Sequence, residues 1–128
     1  MKVLALDYGR ARTGVAVSDP TGTIARPLDV VEQAGGEQGL ARLVELIGEH
    51  EVERVVVGMP LTLGGERGEQ ARETETFIEA LAGLTDVPVV PFDERFTTDL
   101  AEQTPAAAPE DARAAAHLLD GYLRSIAS

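Results

Sequence analysis

The sequence predicts an α/β domain whose five-stranded mixed sheet has three antiparallel strands, then two parallel strands, with helices on both faces. The first observation is a series of three short apolar segments separated by turn signals, at residues 3–6, 15–17 and 24–31. The second is that two later apolar runs each follow a stretch with helical periodicity, the pattern of parallel strands joined by right-handed crossover helices. A chain of 128 residues has room for one domain, and we expect residues 1–128 to form it.

The first hairpin carries an acid at its bend. The first apolar segment ends at Asp7, a glycine-containing turn with Arg10 and Arg12 follows, and the second apolar segment comes after it. A carboxylate at the end of a buried strand binds cations strongly, and nearby glycines let a ligand approach closely. This stretch suggests metal or phosphate chemistry, and an ordinary surface hairpin is the alternative. Asp19 should lie about 17 to 20 Å from Asp7, which is the length of one strand, and it is predicted to be a turn residue.

Two helices are predicted to connect the later strands. Residues 37–50 have an apolar stripe at the spacing of a helix packed on a sheet: Leu40, Leu43, Val44 and Ile47. Residues 69–84 have a similar inward stripe: Phe77, Ile78, Leu81 and Ala82. Between them, the uniformly apolar run at 55–57 is typical of a central parallel strand covered on both faces.

A glycine-rich loop at residues 61–68 leads into the second of these helices. The start of a helix exposes unpaired N–H groups and the positive end of the helix dipole, which suit an anion. Arg67 and Arg72 add positive charge there. The loop is therefore a candidate phosphate site, and a loop without function is the alternative.

The strand predicted at residues 87–92 leads into Asp93, Glu94 and Arg95, and its prolines place it at the edge of the sheet. Because the carboxyl ends of parallel strands are neighbours, we expect Asp7 to converge with the Asp93 and Glu94 pair. Adjacent residues of an extended chain point to opposite sides, so only one of the pair can face Asp7. A surface ion cluster is the alternative.

The last helix is predicted from the start signal at residues 109–111 to about Ile126. At 100° per residue, Asp111 shares its inward face with Ala115, Leu118 and Tyr122, whereas Asp120 points to water. A role in complementing the helix dipole is the alternative for Asp111.

Three acids from separate parts of the chain, Asp7, Glu94 and Asp111, can then reach one edge of the sheet. A divalent cation bound there would offset their mutual repulsion.

The composition limits the kinds of site that the chain can form. It has no cysteine and two histidines, so any metal would sit on carboxylates. The net charge of -11 argues against a surface that coats nucleic acid non-specifically. Of the basic residues only Lys2 is a lysine, and arginine suits local phosphate contacts. No apolar run approaches membrane-spanning length and the amino terminus lacks a secretory pattern, so we expect a cytoplasmic location and no membrane contact.

Four segments of the sequence, in order, form a family-like set: Leu-Asp-Tyr-Gly at 6–9 with Arg12, Gly14-Val15-Ala16 and Ser18-Asp19; Val-Gly-Met-Pro at 57–60 with Gly65 and Gly68; Asp-Glu-Arg at 93–95 with Thr97 and Thr98; and residues 111–123. Through these segments the chain resembles the YqgF/RuvX family of the RNase H-like superfamily, relatives of Holliday junction resolvases that are implicated in maturing the 5′ end of the 16S rRNA precursor. The resemblance covers nearly the whole sequence.

The resemblance implies a metal-binding catalytic site and a set of nucleic-acid contacts. The metal-binding acids would be Asp7, Glu94 and Asp111, with Asp93 as the substitute for Glu94. The metal would be Mg²⁺ or Mn²⁺, and two such ions about 3.5 to 4 Å apart can activate a water and stabilise the leaving oxygen. The arginines that would contact the nucleic-acid backbone are Arg10, Arg12, Arg67, Arg72 and Arg95.

The implied function is metal-dependent endonuclease activity on structured RNA, in 5′-end maturation of pre-16S rRNA, with branched DNA as a less favoured substrate. Residues 99–108 contain no basic residue where the family usually has a Lys/Arg run. That departure favours a second hypothesis, a non-catalytic RNA-binding ribosome-assembly factor. A third is one lobe of an actin-like or sugar-kinase-like ATPase, whose first hairpin also reads Asp-x-Gly but which needs two lobes. The sequence also allows a homodimer.

Overall fold

The computed structural model describes residues 1–59, 68–93 and 110–127. Five strands and three helices lie in these ranges. Their bounds, in chain order, are β1 (Val3–Asp7), β2 (Arg12–Ser18), β3 (Ala25–Glu32), α1 (Glu37–Glu49), β4 (Arg54–Met59), α2 (Glu69–Ala82), β5 (Val89–Asp93) and α3 (Glu110–Ala127). The predictions for Arg67, Glu94, Arg95 and most of the 61–68 loop fall outside the described residues.

The strands form one mixed sheet in the order β3-β2-β1-β4-β5. β2 is antiparallel to both β1 and β3, while β4 is parallel to both β1 and β5. This confirms the predicted arrangement of three antiparallel strands followed by two parallel ones. Each edge strand contains a proline, Pro27 in β3 and Pro91 in β5, in agreement with the edge position predicted for the last strand.

Helices α1 and α2 cover one face of the sheet. Alternate residues of the central strands, such as Leu4, Leu6, Val55 and Val57, join the core on this side. The predicted stripe of α1 is confirmed, since Leu43 and Ile47 are buried and Leu40 and Val44 are partly buried. In α2, Phe77 and Leu81 are buried and Ile78 is partly buried, as predicted.

The predicted inward position of Ala82 is wrong, because this residue is exposed. The buried face of α2 runs through Ala71, Thr74, Phe77 and Leu81. Ala82 lies 100° around the helix from Leu81, on the flank of that face and in the last position of the helix.

Helix α3 covers the opposite face. The other set of alternate strand residues, including Val3, Ala5 and Val56, packs against it. Ala115, Leu118 and Tyr122 are buried as predicted, and Arg54 Nη1 donates a hydrogen bond to the Tyr122 hydroxyl at 2.7 Å.

Asp120, which was predicted to point to water, is partly exposed on the surface of α3. Its side chain is 31% exposed, and Arg124 Nε lies 3.0 Å from Asp120 Oδ2. These residues are four positions apart, so they are neighbours on the helix surface and the arginine shields the carboxylate.

Asp19 is a turn residue, as predicted. Its Oδ1 accepts hydrogen bonds from the backbone N–H groups of Thr23 and Ile24, each at 2.8 Å. These bonds, first that from Ile24, and the bond from the Thr21 hydroxyl hold the pKa of Asp19 well below its usual value. The carboxylate therefore organises the connection between β2 and β3.

In the parts of the chain that the structure describes, every helix is too short or too polar to cross a membrane.

Candidate active site

Asp7 ends β1 and faces the side of the sheet that α3 covers. Side chains of a strand alternate between the two faces. Val3 and Ala5 pack against α3, so Asp7 continues that face, while Tyr8 packs with the core beneath α1 and α2. The tip of the first hairpin therefore sends an acid to one side and an aromatic ring to the other.

Gly14 brings the start of α3 next to Asp7. Asp7 and Gly14 are directly paired across β1 and β2. A Cβ atom on Gly14 would lie 1.7 Å from the carbonyl oxygen of Asp111 and 3.0 Å from the nitrogen of Ala112. No side chain fits there, so the backbone of Asp111 contacts β2 at Gly14, the residue that is paired with Asp7.

The carboxylate of Asp111 is held by an arginine from the same hairpin. Arg12 Nε lies 3.2 Å from Asp111 Oδ2, with the two side chains 63% and 36% exposed. A positive charge therefore already lies against this acid. The carboxylates of Asp7 and Asp111 are hard oxygen donors, and this donor set fits Mg²⁺ or Mn²⁺.

On the other side of the hairpin tip, Arg10 is bound by two acids of α2. Arg10 Nε donates to Glu73 Oε2 at 2.8 Å, Arg10 Nη2 also contacts Glu73, and Glu69 Oε1 lies 3.7 Å from Nη2. Hydrogen bonds and charge hold the pKa of Glu73 below its usual value and raise that of Arg10. Both groups therefore stay ionised at neutral pH.

The turn between β1 and β2 has a defined shape. A Cβ on Gly9 would lie 2.6 Å from the carbonyl oxygen of Arg12. The buried Thr13 places its hydroxyl 3.4 Å from the Gly9 nitrogen, and Gln33 N–H donates to the Ala11 carbonyl at 2.9 Å. These contacts fix the directions in which Arg10 and Arg12 leave the turn.

The described part of the structure brings some of the predicted site residues together. Asp7 and Asp111 belong to neighbouring backbone segments, and Arg12 contacts Asp111. Asp93 is the last residue of β5 and pairs with Met59, two strands from β1, or about 10 Å. Arg72 is exposed on α2. Within residues 1–59, 68–93 and 110–127, three metal-ligating side chains do not come together.

Sequence reasoning missed the roles of Gly14 and Glu73. A signal existed for Gly14, because a hairpin bend centred after Asp7 pairs position 14 with position 7. Glu73 stands among several glutamates of α2, and its contact with Arg10 depends on how the helix docks. Nothing in the sequence singles it out.

Comparison with known proteins gives consistent matches. A family model, RuvX, described as Holliday junction resolvase, matches residues 1–125. A protein of Chloroflexus aggregans named "Putative pre-16S rRNA nuclease" is 46% identical over 101 residues, which cover 79% of this chain and 71% of that protein. A protein of Desulforudis audaxviator with the same name is 38% identical over 134 residues, covering 98% and 95%.

A solved structure, T. thermophilus RuvC in complex with a Holliday junction substrate, superposes with a TM-score of 0.68. It covers 100% of this chain and 97% of that chain at 19% identity, so the likeness concerns the fold. The strand order of this sheet agrees with that of the RuvC-type fold, and the expected RNase H-like fold is confirmed.

Proposed function

Because this chain belongs to the RuvX family of Holliday junction resolvases, we propose that it is a divalent-metal-dependent endonuclease that prefers structured RNA, in particular the 5′ end of pre-16S rRNA. Family membership makes the chain a nuclease, a hydrolase that acts on nucleic acid. The proposal adds the metal, the residues that hold it and the substrate.

The contact between Gly14 and Asp111 carries the proposal. It brings the first turn of α3 to the strand position paired with Asp7. Asp7 and Asp111 would bind Mg²⁺ or Mn²⁺, and Arg12, once released from Asp111, would contact a substrate phosphate. The bound metal would supply an activated water and stabilisation of the leaving oxygen. Asp7, on the half-buried strand end, would fix the position of the metal.

We propose Glu94 as the third acid. Val90 and Phe92 of β5 pack on the α3 side of the sheet, the side that Asp7 faces. A two-residue period that continued past β5 would favour the even-numbered Glu94 over Asp93, and this supports the proposal.

The relatives support RNA as the substrate, since proteins matching up to 98% of this chain carry a pre-16S rRNA nuclease name. Branched DNA is the second candidate, because the matching family model is described as a resolvase. The net charge of -11 and the absence of basic residues at 99–108 support the non-catalytic RNA-binding hypothesis.

A homodimer and a cytoplasmic location stay predictions. Sedimentation of the purified chain tests whether it forms a homodimer.

The test is cleavage of precursor 16S rRNA and of four-way DNA junctions, with Mg²⁺, with Mn²⁺ and with chelator. We expect metal-dependent cleavage of the RNA and slower cleavage of the junction. Asp7→Asn should lower the rate by more than about 100-fold, since even the outer partners of metal ligands are worth about 10- to 100-fold.

Asp19→Asn is the matched control, because it alters an acid that serves a turn. Unchanged cleavage by Asp7→Asn would remove the catalytic assignment. Tight binding of RNA without cleavage under any metal condition would favour the assembly-factor hypothesis, and preferential cleavage of the junction would reverse the order of substrates.

A further inference from the structure

A groove lies between the tip of the first hairpin and helix α2. Tyr8, Arg10 and Glu73 line it throughout, and the ion pair between Arg10 and Glu73 crosses it. On one side of the pair the groove extends to Gln70, and on the other to Phe77. Each side has a volume of about 360 Å³, within the range of small-ligand sites.

The wall of the groove is aromatic and fixed in place. The rings of Tyr8 and Phe77 stack with centroids 4.4 Å apart and planes 21° from parallel. Phe77 is buried in the core and Tyr8 is half-buried, so the pair holds the Tyr8 ring against the groove. Aromatic rings are surfaces on which nucleobases stack without sequence preference.

The guanidinium of Arg10 in the groove is already bound by a carboxylate. Glu73 accepts hydrogen bonds from both Nε and Nη2 of Arg10. The planar guanidinium binds carboxylates and phosphates through this same pair of donors. Arg10 is 72% exposed, whereas Glu73 is 29% exposed. A phosphate arriving from solvent can therefore reach the arginine, and it meets Glu73 as a competitor.

We propose that this groove is a phosphate-binding subsite for the substrate strand that runs past the candidate active site, and that Glu73 closes it in the free protein by occupying Arg10. The inference rests on the proposed function. A phosphodiester replaces the Glu73 carboxylate on Arg10, and the adjoining base lies against Tyr8. The subsite belongs to the same chain segment as Asp7, on the opposite side of the hairpin tip.

The exchange is favourable for a nucleic acid and unfavourable for an isolated anion. An exposed ion pair is weak and is screened by salt, so a ligand with other contacts can displace it. A free phosphate ion lacks those contacts and must compete with an acid that is tethered beside Arg10. Glu73 thereby gives selectivity for a chain of phosphates at a cost in affinity.

The test measures binding of a fluorescein-labelled RNA hairpin with a 5′ single strand to the full chain, by anisotropy in buffer with chelator. Glu73→Gln should lower the Kd by about threefold or more. It should also steepen the log–log salt dependence by about one, because Arg10 no longer carries an internal counterion. Glu79→Gln is the matched control, since it removes one charge from an exposed position of the same helix.

A second pair of variants isolates Arg10. Arg10→Gln should weaken binding, and Glu73→Gln added to Arg10→Gln should change binding no more than Glu79→Gln does, because its specific gain acts through the arginine. Thermal unfolding of each variant checks that it is folded.

The outcomes separate the two proposals. If Glu73→Gln and Glu79→Gln lower the Kd for RNA equally, the effect is one of net charge and the subsite proposal is overturned. If Glu73→Gln raises the Kd, Glu73 positions Arg10 for the substrate and does not close the subsite. If the wild-type chain binds and cleaves RNA but these variants match the control, the subsite alone fails. If the wild-type chain binds no nucleic acid, both proposals fail.

Discussion

The two sides of the first hairpin tip meet their helices in different ways. Toward α3, the backbone of β2 touches the backbone of Asp111, and a single added carbon at Gly14 would collide with it. Toward α2, the tip and the helix are joined by side chains, with open groove on both sides of the Arg10 and Glu73 pair. Backbone contact fixes a distance, whereas long exposed side chains can exchange partners. The difference indicates a rigid side suited to placing acids and an adjustable side suited to receiving a substrate strand.

The largest expected effect comes from removing the acid on the rigid side. Asp111→Asn should lower metal-dependent cleavage by more than about 100-fold, as expected for a direct metal ligand. Calorimetry with Mn²⁺ should show a matching loss of metal affinity. Asp120→Asn on the same helix is the control and should keep full activity, because its partner is Arg124. Equal activity of the two variants would mean that the rigid contact serves the fold alone.

The next effect concerns the contact itself. Gly14→Ala should lower the free energy of unfolding by about 3 kcal/mol or more, the upper end of overpacking costs, because the neighbours are backbone atoms. Gly48→Ala is the control: its Cβ meets no atom within 4 Å in the part of the chain that the structure describes, and alanine in a helix should stabilise the chain by about 0.5 to 1 kcal/mol. Urea unfolding measures both. A well-tolerated Gly14→Ala would show that α3 can move away from β2.

The smallest effect tests the open side. Gly68 is the N-cap of α2 and makes no side-chain capping bond, and among the described residues no atom lies within 4 Å of an added Cβ. Gly68→Ser should therefore stabilise the chain by a few tenths of a kcal/mol through a new cap. Chemical denaturation with replicate curves can resolve this shift. A clear loss of stability would contradict the open packing described for this side.

The sequence predicted three antiparallel strands followed by two parallel ones because the signals for these strands are local. An apolar run identified β1, the helical stripe placed Ala115, Leu118 and Tyr122 inward, and short connections determined which strands run antiparallel. The prediction for Ala82 failed because the inward face of α2 is set by how the whole helix docks. Asp120 is partly exposed, and the helical period could not predict how closely Arg124 lies against its carboxylate.

The candidate site was less accessible from sequence because it depends on contacts between distant segments. The period of α3 predicted that Asp111 lies at one end of a buried stripe, but its backbone contact with Gly14 depends on how the whole helix docks on the sheet. The arginines of the turn were expected to be free for phosphate. Their pairing with Asp111 and Glu73 depends on side-chain reach across 99 and 63 positions of the chain.

The prolines of the outer strands restrict how copies of this chain can associate. Proline cannot donate to a ladder, and within sheets its nitrogen usually faces away from the neighbouring strand. Pro27 and Pro91 therefore leave gaps in the rows of donors along both margins. A second copy could not continue the sheet without interruption from either margin, so edge-to-edge pairing of copies, in a dimer or a fibre, is disfavoured.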